Sequence, residues 1–198
     1  MTPDLAPKIL ENKTYFEDRF VPNHTALREI VEQLRRDGHR IVLTQGVYDL
    51  IHEGHALYLE KAKSYGDVLI VGVDSDELTK LRKGPNRPIV PQDERVKMLI
   101  HLRHVDLVTI REAGHDIGEL IRVVCPDVLV TSTSTEDFKK DIERGTYKDY
   151  CGNIIVLPPQ AATSTTARIR ELTIEGAEKL AREVSKLTEE FLNNIRNG

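Results

Sequence analysis

His52-Glu53-Gly54-His55 sets two imidazoles three residues apart around a glycine. The motif follows a short apolar run, Ile41-Val42-Leu43, and the turn Gln45-Gly46-Val47-Tyr48-Asp49, and it opens a helical pattern. A helix start offers unpaired N–H groups and partial positive charge. Glycine lets the backbone come close to an anion, and each imidazole can donate a hydrogen bond to developing charge. These types at this spacing suit a grip on a phosphate. Zinc ligation by His52 and His55 is the rival reading, and it lacks an evident third ligand.

Three further segments carry polar residues that fit the same chemistry. Between Asp74 and Pro88 the chain holds Lys80, Arg82, Lys83 and Arg87, punctuated by Gly84, Pro85 and Pro88. Taken alone, such a charge run is a solvated loop. Beside the histidine turn it is expected to be a mobile cationic loop that stabilises charge in a phosphoryl-type transition state. Arg95 follows on the next helix and is expected to reach the same anion. Ser164-Thr165-Thr166 precedes a helical stretch, where hydroxyls cap N–H groups or cradle a second phosphate. His24, His39, His101, His104 and His115 show no metal-like spacing with a carboxylate or cysteine, and no metal site is expected. A Gly-x-Gly-x-x-Gly after the first strand is absent, and so is a Walker lysine motif.

These segments need a scaffold. Short runs rich in valine and isoleucine, near 41–43, 68–73, 105–110, 128–130 and 154–157, alternate with helical patterns near 54–65, 92–103, 116–124 and 136–144. The runs are mostly unalternated, as strands covered on both faces should be. The rhythm predicts an α/β fold, a Rossmann-like doubly wound parallel sheet, whose ligands bind beyond the carboxyl ends of the strands. The turn at residues 44–55 and the segments after Val73, Val130 and Leu157 follow those ends. Residues 1–38 read as a loosely wrapped N-terminal arm and an amphipathic helix, with Leu27, Ile30, Val31 and Leu34 on one face and Gly38 as its stop. Residues 39–172 form the main domain and 173–198 a long C-terminal helix with an apolar stripe from Leu172 to Ile195.

Composition narrows the class. The chain has 198 residues, 39% hydrophobic and 30% charged, with net charge −4, so it lacks the basic footprint of a nucleic-acid binder. With 5% aromatics and no tryptophan, base-stacking surfaces are scarce. No apolar run approaches a membrane span, and the first residues lack the pattern of a signal peptide. Cys125 and Cys151 are too few for a disulfide framework or a cysteine-rich zinc site. A cytoplasmic enzyme without a membrane or nucleic-acid partner is the expectation.

Over residues 25–172 the chain resembles the cytidylyltransferase-like nucleotidyltransferases, whose signature is His-x-Gly-His. Gly46 to His55 is similar to that family's Gly-x-Phe-Asp-x-x-His-x-Gly-His, and Val71 to Thr79 with Lys83-Gly84 to its catalytic-lysine stretch. Arg95, Arg103-His104-Val105-Asp106 and Ser164-Thr165-Thr166 match three further elements in order. The resemblance implies that a phosphate ester attacks the α-phosphorus of CTP or ATP and that Mg²⁺ arrives with the triphosphate. It also implies a homodimer, with Arg103 to Asp106 and the C-terminal helix as candidate contacts. It implies His52, His55, Lys83 and Arg95 as catalytic residues. Gly46, Val47, Tyr48, Gly54, Ser164, Thr165 and Thr166, with the histidines and Lys83, would hold the nucleotide. Asp49, Arg87, Ser132 and Thr133 would meet the acceptor. Gly38-His39-Arg40-Ile41-Val42, Arg87-Pro88 and Pro91 resemble the adenylyltransferase half of bifunctional heptose-phosphate enzymes. The 71–79 and 103–106 stretches are closer to choline- and ethanolamine-phosphate cytidylyltransferases. Thr131 to Thr135 replaces the heptose enzymes' Lys-Gly-Gly-Asp, and Gln160 stands where the cytidylyltransferases carry an arginine. On balance the residues lean to CTP, with ATP and a sugar phosphate as the alternative, and a non-catalytic nucleotide-binding protein as a reading from another class.

Overall fold

Successive residues of a strand point to opposite faces, and here both faces are apolar, which sets the architecture. The computed structural model describes residues 15–116, 118–133, 144–161 and 165–196, with side chains to 188. The strands are β1 (Ile41–Gly46), β2 (Val68–Asp74), β3 (Leu107–Arg111), β4 (Val128–Ser132) and β5 (Asn153–Leu157). All pair in parallel, in the order β3-β2-β1-β4-β5. Ile41 lies opposite Val68, and Val42 opposite Val128.

The alternation divides the strands between two cores. Ile41, Leu43, Val68 and Ile70 join a cluster with Leu27, Leu34, Leu120 and Val124, supplied by helices α2 (His24–Arg36) and α6 (Glu119–Val124). Val42, Leu69, Val71 and Val73 join another with Leu59, Ala62, Leu99 and Ile100, supplied by α3 (Glu53–Lys63) and α5 (Gln92–Ile100). Each fully buried Leu, Ile or Val contributes about 1.5–3 kcal/mol relative to exposure. The result is the expected doubly wound α/β layering. The strand order reverses at β1, so the crevice between the carboxyl ends of β1 and β4 is where such a sheet binds ligands.

Three expectations change in detail. The segment 15–22 is packed rather than loose. Helix α1 (Phe16–Arg19) buries Arg19, which donates to the Ile100 and Val105 carbonyls, and Val21 N–H donates to Val108. Residues 76–83, expected within a mobile loop, form helix α4 (Asp76–Lys83), because Ser75 Oγ caps Leu78 N–H and acidic residues fill the first turn. Asp106, expected at a subunit contact, is 6% exposed and is held by Leu69 N–H and Lys63. The expected helix 136–144 lies almost entirely outside the described residues.

The chain divides into two units, Met1–Ala162 and Thr163–Gly198. The second contains α7 (Thr165–Arg196), which starts earlier than expected and leaves Leu172, Ile174, Leu180, Val184 and Leu187 exposed. No described helix is long and apolar enough to cross a membrane.

Candidate active site

A chain of hydroxyls ties the switch point together. Tyr48 Oη donates to Thr44 Oγ1 at 3.5 Å, Thr44 meets Tyr58 Oη at 2.8 Å, and Tyr58 donates to the Val130 carbonyl at 3.2 Å. This links β1 to α3 and β4. Tyr48 takes φ 55°, and a side chain on Gly46 would stand 3.2 Å from the Tyr48 ring. Gly46 is therefore the space into which that ring folds. Burial raises the pKa of both phenols, Tyr58 to about 12, so both stay protonated donors.

The two histidines cap their own helix. His52 is the N-cap of α3, and its Nδ1 accepts Gly54 N–H at 3.1 Å. His55 Nδ1 accepts His52 N–H at 3.4 Å. An Nδ1 that accepts leaves the proton of a neutral imidazole on Nε2, so both rings present Nε2–H. The rings lie 4.1 Å apart between centroids, and Tyr48 lies 5.6 Å from His55. Burial, then His52, then Lys83, lowers the His55 pKa to about 4. His55 is thus a neutral donor at ordinary pH. A Cβ on Gly54 would come within 2.9 Å of His52 Cε1 and 3.1 Å of its Nδ1, so the glycine keeps the capping ring in place.

Lys83 is the last residue of α4, which Gly84 ends with φ 96°. Partial burial, followed by the charge of Arg87, pulls its pKa below the usual lysine value. Its positive charge is among the causes that lower the His55 pKa. Arg87 donates through Nε to Asp49 Oδ2 at 2.9 Å. Asp49, 2% exposed, also accepts Ile89 N–H and Val90 N–H, both at 2.9 Å. Its carboxylate shapes the 87–90 loop from within.

Arg95 differs more from expectation. It is 1% exposed, and its donors go to the carbonyls of Val90, Val47 and Asp74 and to Asp76 Oδ1. It fastens the ends of β1, β2 and α4 together, and its Nη2 pairs with the Asp76 carboxylate. In this arrangement it positions the segments around the histidine turn. Sequence reasoning also missed the buried network behind Lys83, in which Asp74 Oδ1 accepts Arg111 at 2.8 Å and Oδ2 accepts Arg82 at 2.7 Å. The only signal for it was the position of Asp74 and Arg111 at neighbouring strand ends, visible once the register is known.

Ser132 ends β4, and Thr133 N–H donates to the Leu157 carbonyl at 3.0 Å, so both lie on the carboxyl edge of the sheet. Thr165 and Thr166 begin α7, and Ser164 lies outside the described residues. Away from the switch point, the fold gathers His24, His115 and Glu119. The fold thus gives two of the histidines that showed no metal-like spacing a shared carboxylate neighbour.

A model of the cytidylyltransferase-like family matches residues 43–171. The bifunctional protein HldE of Desulfatibacillum aliphaticivorans is 39% identical over 148 residues, covering 74% of this chain and 29% of that protein. HldE of a Nitratiruptor species is 46% identical over 113 residues, covering 57% and 24%. HldE of Cronobacter sakazakii is 36% identical over 176 residues, covering 86% and 36%. The chain therefore spans less than two fifths of the length of each of these curated relatives. Among solved structures, a lipopolysaccharide core biosynthesis protein from Thermoplasma volcanium is 25% identical with a TM-score of 0.54, covering 64% of this chain and 100% of that one. A pantoate-beta-alanine ligase from Francisella tularensis, complexed with beta-gamma ATP and beta-alanine, is 17% identical with a TM-score of 0.53, covering 72% and 67%, a likeness of fold alone.

Proposed function

The chain belongs to the cytidylyltransferase-like family of nucleotidyltransferases, and on that premise we propose that it moves a nucleoside monophosphate from a nucleoside triphosphate to the phosphate of a small sugar or alcohol. The observation that carries this reading is the His52–His55 pair, two imidazoles 4.1 Å apart whose Nδ1 atoms accept backbone N–H groups at the helix start, which makes Nε2 the protonated nitrogen of each neutral ring. The acceptor phosphate oxygen attacks the α-phosphorus in line. A P–O bond forms, the bond from the α-phosphorus to the β-phosphate oxygen breaks, and its electron pair leaves on pyrophosphate. Both histidines donate to the α-phosphate and the bridging oxygen as charge builds there. Lys83 neutralises the α-phosphate and steers the incoming one. Arg87, its Nε tied to Asp49, turns its remaining N–H donors to the acceptor phosphate, with Ser132 and Thr133 on the acceptor's hydroxyls. Gly46, Val47 and Tyr48 form the floor under the nucleotide. A phosphate is already an anionic nucleophile, so the step needs no general base. The sequence resemblance alone assigns Ser164, Thr165 and Thr166 to the β- and γ-phosphates.

Mg²⁺ belongs to the nucleotide substrate in this scheme, where it supplies charge neutralisation on the phosphates. The described carboxylates beside the turn fit that role by default. Asp49, Asp74 and Asp76 are all committed to arginines, so they offer no preformed cage. The HldE relatives and the resemblance to the adenylyltransferase half of bifunctional heptose-phosphate enzymes support ATP and a sugar phosphate over the CTP to which the residues leaned.

A pyrophosphate-release screen crossing four nucleoside triphosphates with sugar, polyol and amino-alcohol phosphates tests the reading. Release with one acceptor class identifies the substrate. Tight nucleotide binding without release across the panel would favour a non-catalytic nucleotide-binding protein. A homodimer is part of the same proposal. The exposed Leu180, Val184 and Leu187 of α7 are its natural contact, and a monomer in sedimentation would remove it.

A further inference from the structure

We propose that His24, His115 and Glu119 form a site for a divalent transition-metal ion, zinc by its donor set, which pins the start of α2 to the turn between β3 and α6. His24 opens α2 just after the cap Asn23, and His115 and Glu119 lie one helical turn apart in sequence. No spacing in the sequence joins the first to the other two; the parallel sheet does, by bringing α2 across β3.

The hydrogen bonds assign the donor atoms. His24 Nε2 lies 3.0 Å from the Ile110 carbonyl, which can only accept, so in the neutral imidazole, the form that binds a metal, Nε2 carries the proton and Nδ1 keeps its lone pair. That lone pair points toward Glu119 Oε1 at 3.5 Å, another acceptor. Two acceptors face each other there, an arrangement that a cation between them resolves. His115 Nε2 stands 3.3 Å from the same Oε1, and the two rings are 5.2 Å apart between centroids. In a tetrahedral site with metal–ligand bonds of about 2.0–2.1 Å, adjacent ligand atoms are roughly 3.3–3.4 Å apart. The nitrogen–oxygen distances of 3.5 and 3.3 Å match that edge and are longer than good hydrogen bonds. The Ile110 carbonyl holding the far nitrogen of His24 is the kind of outer contact that orients a metal-bound imidazole. On metal binding His115 Nδ1 takes the proton and gives up the long 3.4 Å contact it accepts from Glu112 N–H.

Two imidazoles and one carboxylate favour zinc over magnesium or calcium, which prefer oxygen donors. The side chains are 15%, 32% and 35% exposed, which leaves an entry path and room for water as the fourth ligand. The ion would sit just past Arg111, the residue that grips Asp74 behind Lys83, and would stiffen the connection leaving it.

The test uses the full chain stripped of metal with a chelator and titrated with zinc chloride by calorimetry, with cobalt(II) as a spectroscopic substitute. One zinc per chain, a raised melting temperature and the intense visible bands of tetrahedral cobalt are expected. His24→Ala, His115→Ala and Glu119→Gln, each checked as folded by circular dichroism, should weaken zinc at least ~10-fold. His55→Ala should leave zinc binding intact, separating this site from the helix-capping pair. Absence of stoichiometric zinc binding, or zinc binding unchanged in folded His115→Ala and Glu119→Gln, overturns the proposal. Because the readout is metal binding, neither result bears on nucleotidyl transfer.

Discussion

Two histidine pairs in this protein have similar ring separations and opposite chemistry. His52 and His55 are 4.1 Å apart, and both turn Nδ1 onto backbone N–H groups at the start of α3. His24 and His115 are 5.2 Å apart, and both turn a nitrogen onto the carboxylate of Glu119. The first pair presents N–H donors, feels the positive charge of Lys83, and suits an anion. The second has an anionic partner and, with His24 neutral, a lone pair facing it, and suits a cation. Proximity of imidazoles says little; what the other nitrogen touches decides which charge the pair receives.

The comparison breaks most visibly at His55. His55→Ala should cut kcat by about 10²–10³-fold while the melting temperature holds, as loss of one transition-state donor does. Near-normal turnover would show that the capped pair does not meet the α-phosphate. Gly54→Ala tests the cap itself. Its Cβ would come within 2.9 Å of His52 Cε1, so the ring must shift, and turnover should fall about 10- to 100-fold with little change in unfolding free energy. An unchanged rate would mean that ring placement is not critical.

A smaller effect appears in stability against pH. The folded His55 titrates near 4, below its ordinary 6.5, so between those values the unfolded chain binds a proton that the folded chain refuses. Stability should therefore decline as pH falls from 6.5 to 4, and His55→Asn should flatten that slope in urea melts; an unaltered slope would remove the burial argument. The smallest effect belongs to a third histidine–carboxylate contact. His104 Nε2 lies 3.5 Å from Glu60 Oε1, with the side chains 37% and 57% exposed and no second imidazole in the contact. His104→Ala should shift unfolding free energy by less than about 0.5 kcal/mol. A larger shift would show that surface contacts of this kind matter more here than the comparison allows.

Much of this was legible in the residues. Val68 to Val73 could be read as a strand buried on both faces because nothing polar interrupts it, and all seven residues of β2 are buried. His52 to His55 was legible because its chemistry is local: cap, glycine and donors lie within four residues. The α4 helix was obscured by its charges, although Ser75, Asp76 and Glu77 before Lys80, Arg82 and Lys83 are ordinary helix signals. The burial of Arg95 was hidden for a different reason. An arginine in a cation-rich neighbourhood looks like an anion ligand, and only the fold shows carbonyls from positions 47, 74 and 90 converging on it. His24 and Glu119 are 95 positions apart, beyond any spacing rule.

The inward-turned Nδ1 atoms have a consequence for the direction of flux. Rings locked in one tautomer by their own helix donate without taking up a proton, so in the proposed reaction no proton changes hands at the catalytic pair. One phosphoanhydride is exchanged for another of similar energy, and the same donors stabilise the same charge whichever side attacks. Such a site is even-handed. Added pyrophosphate should drive it backward to nucleoside triphosphate, and net synthesis then depends on whatever removes pyrophosphate elsewhere.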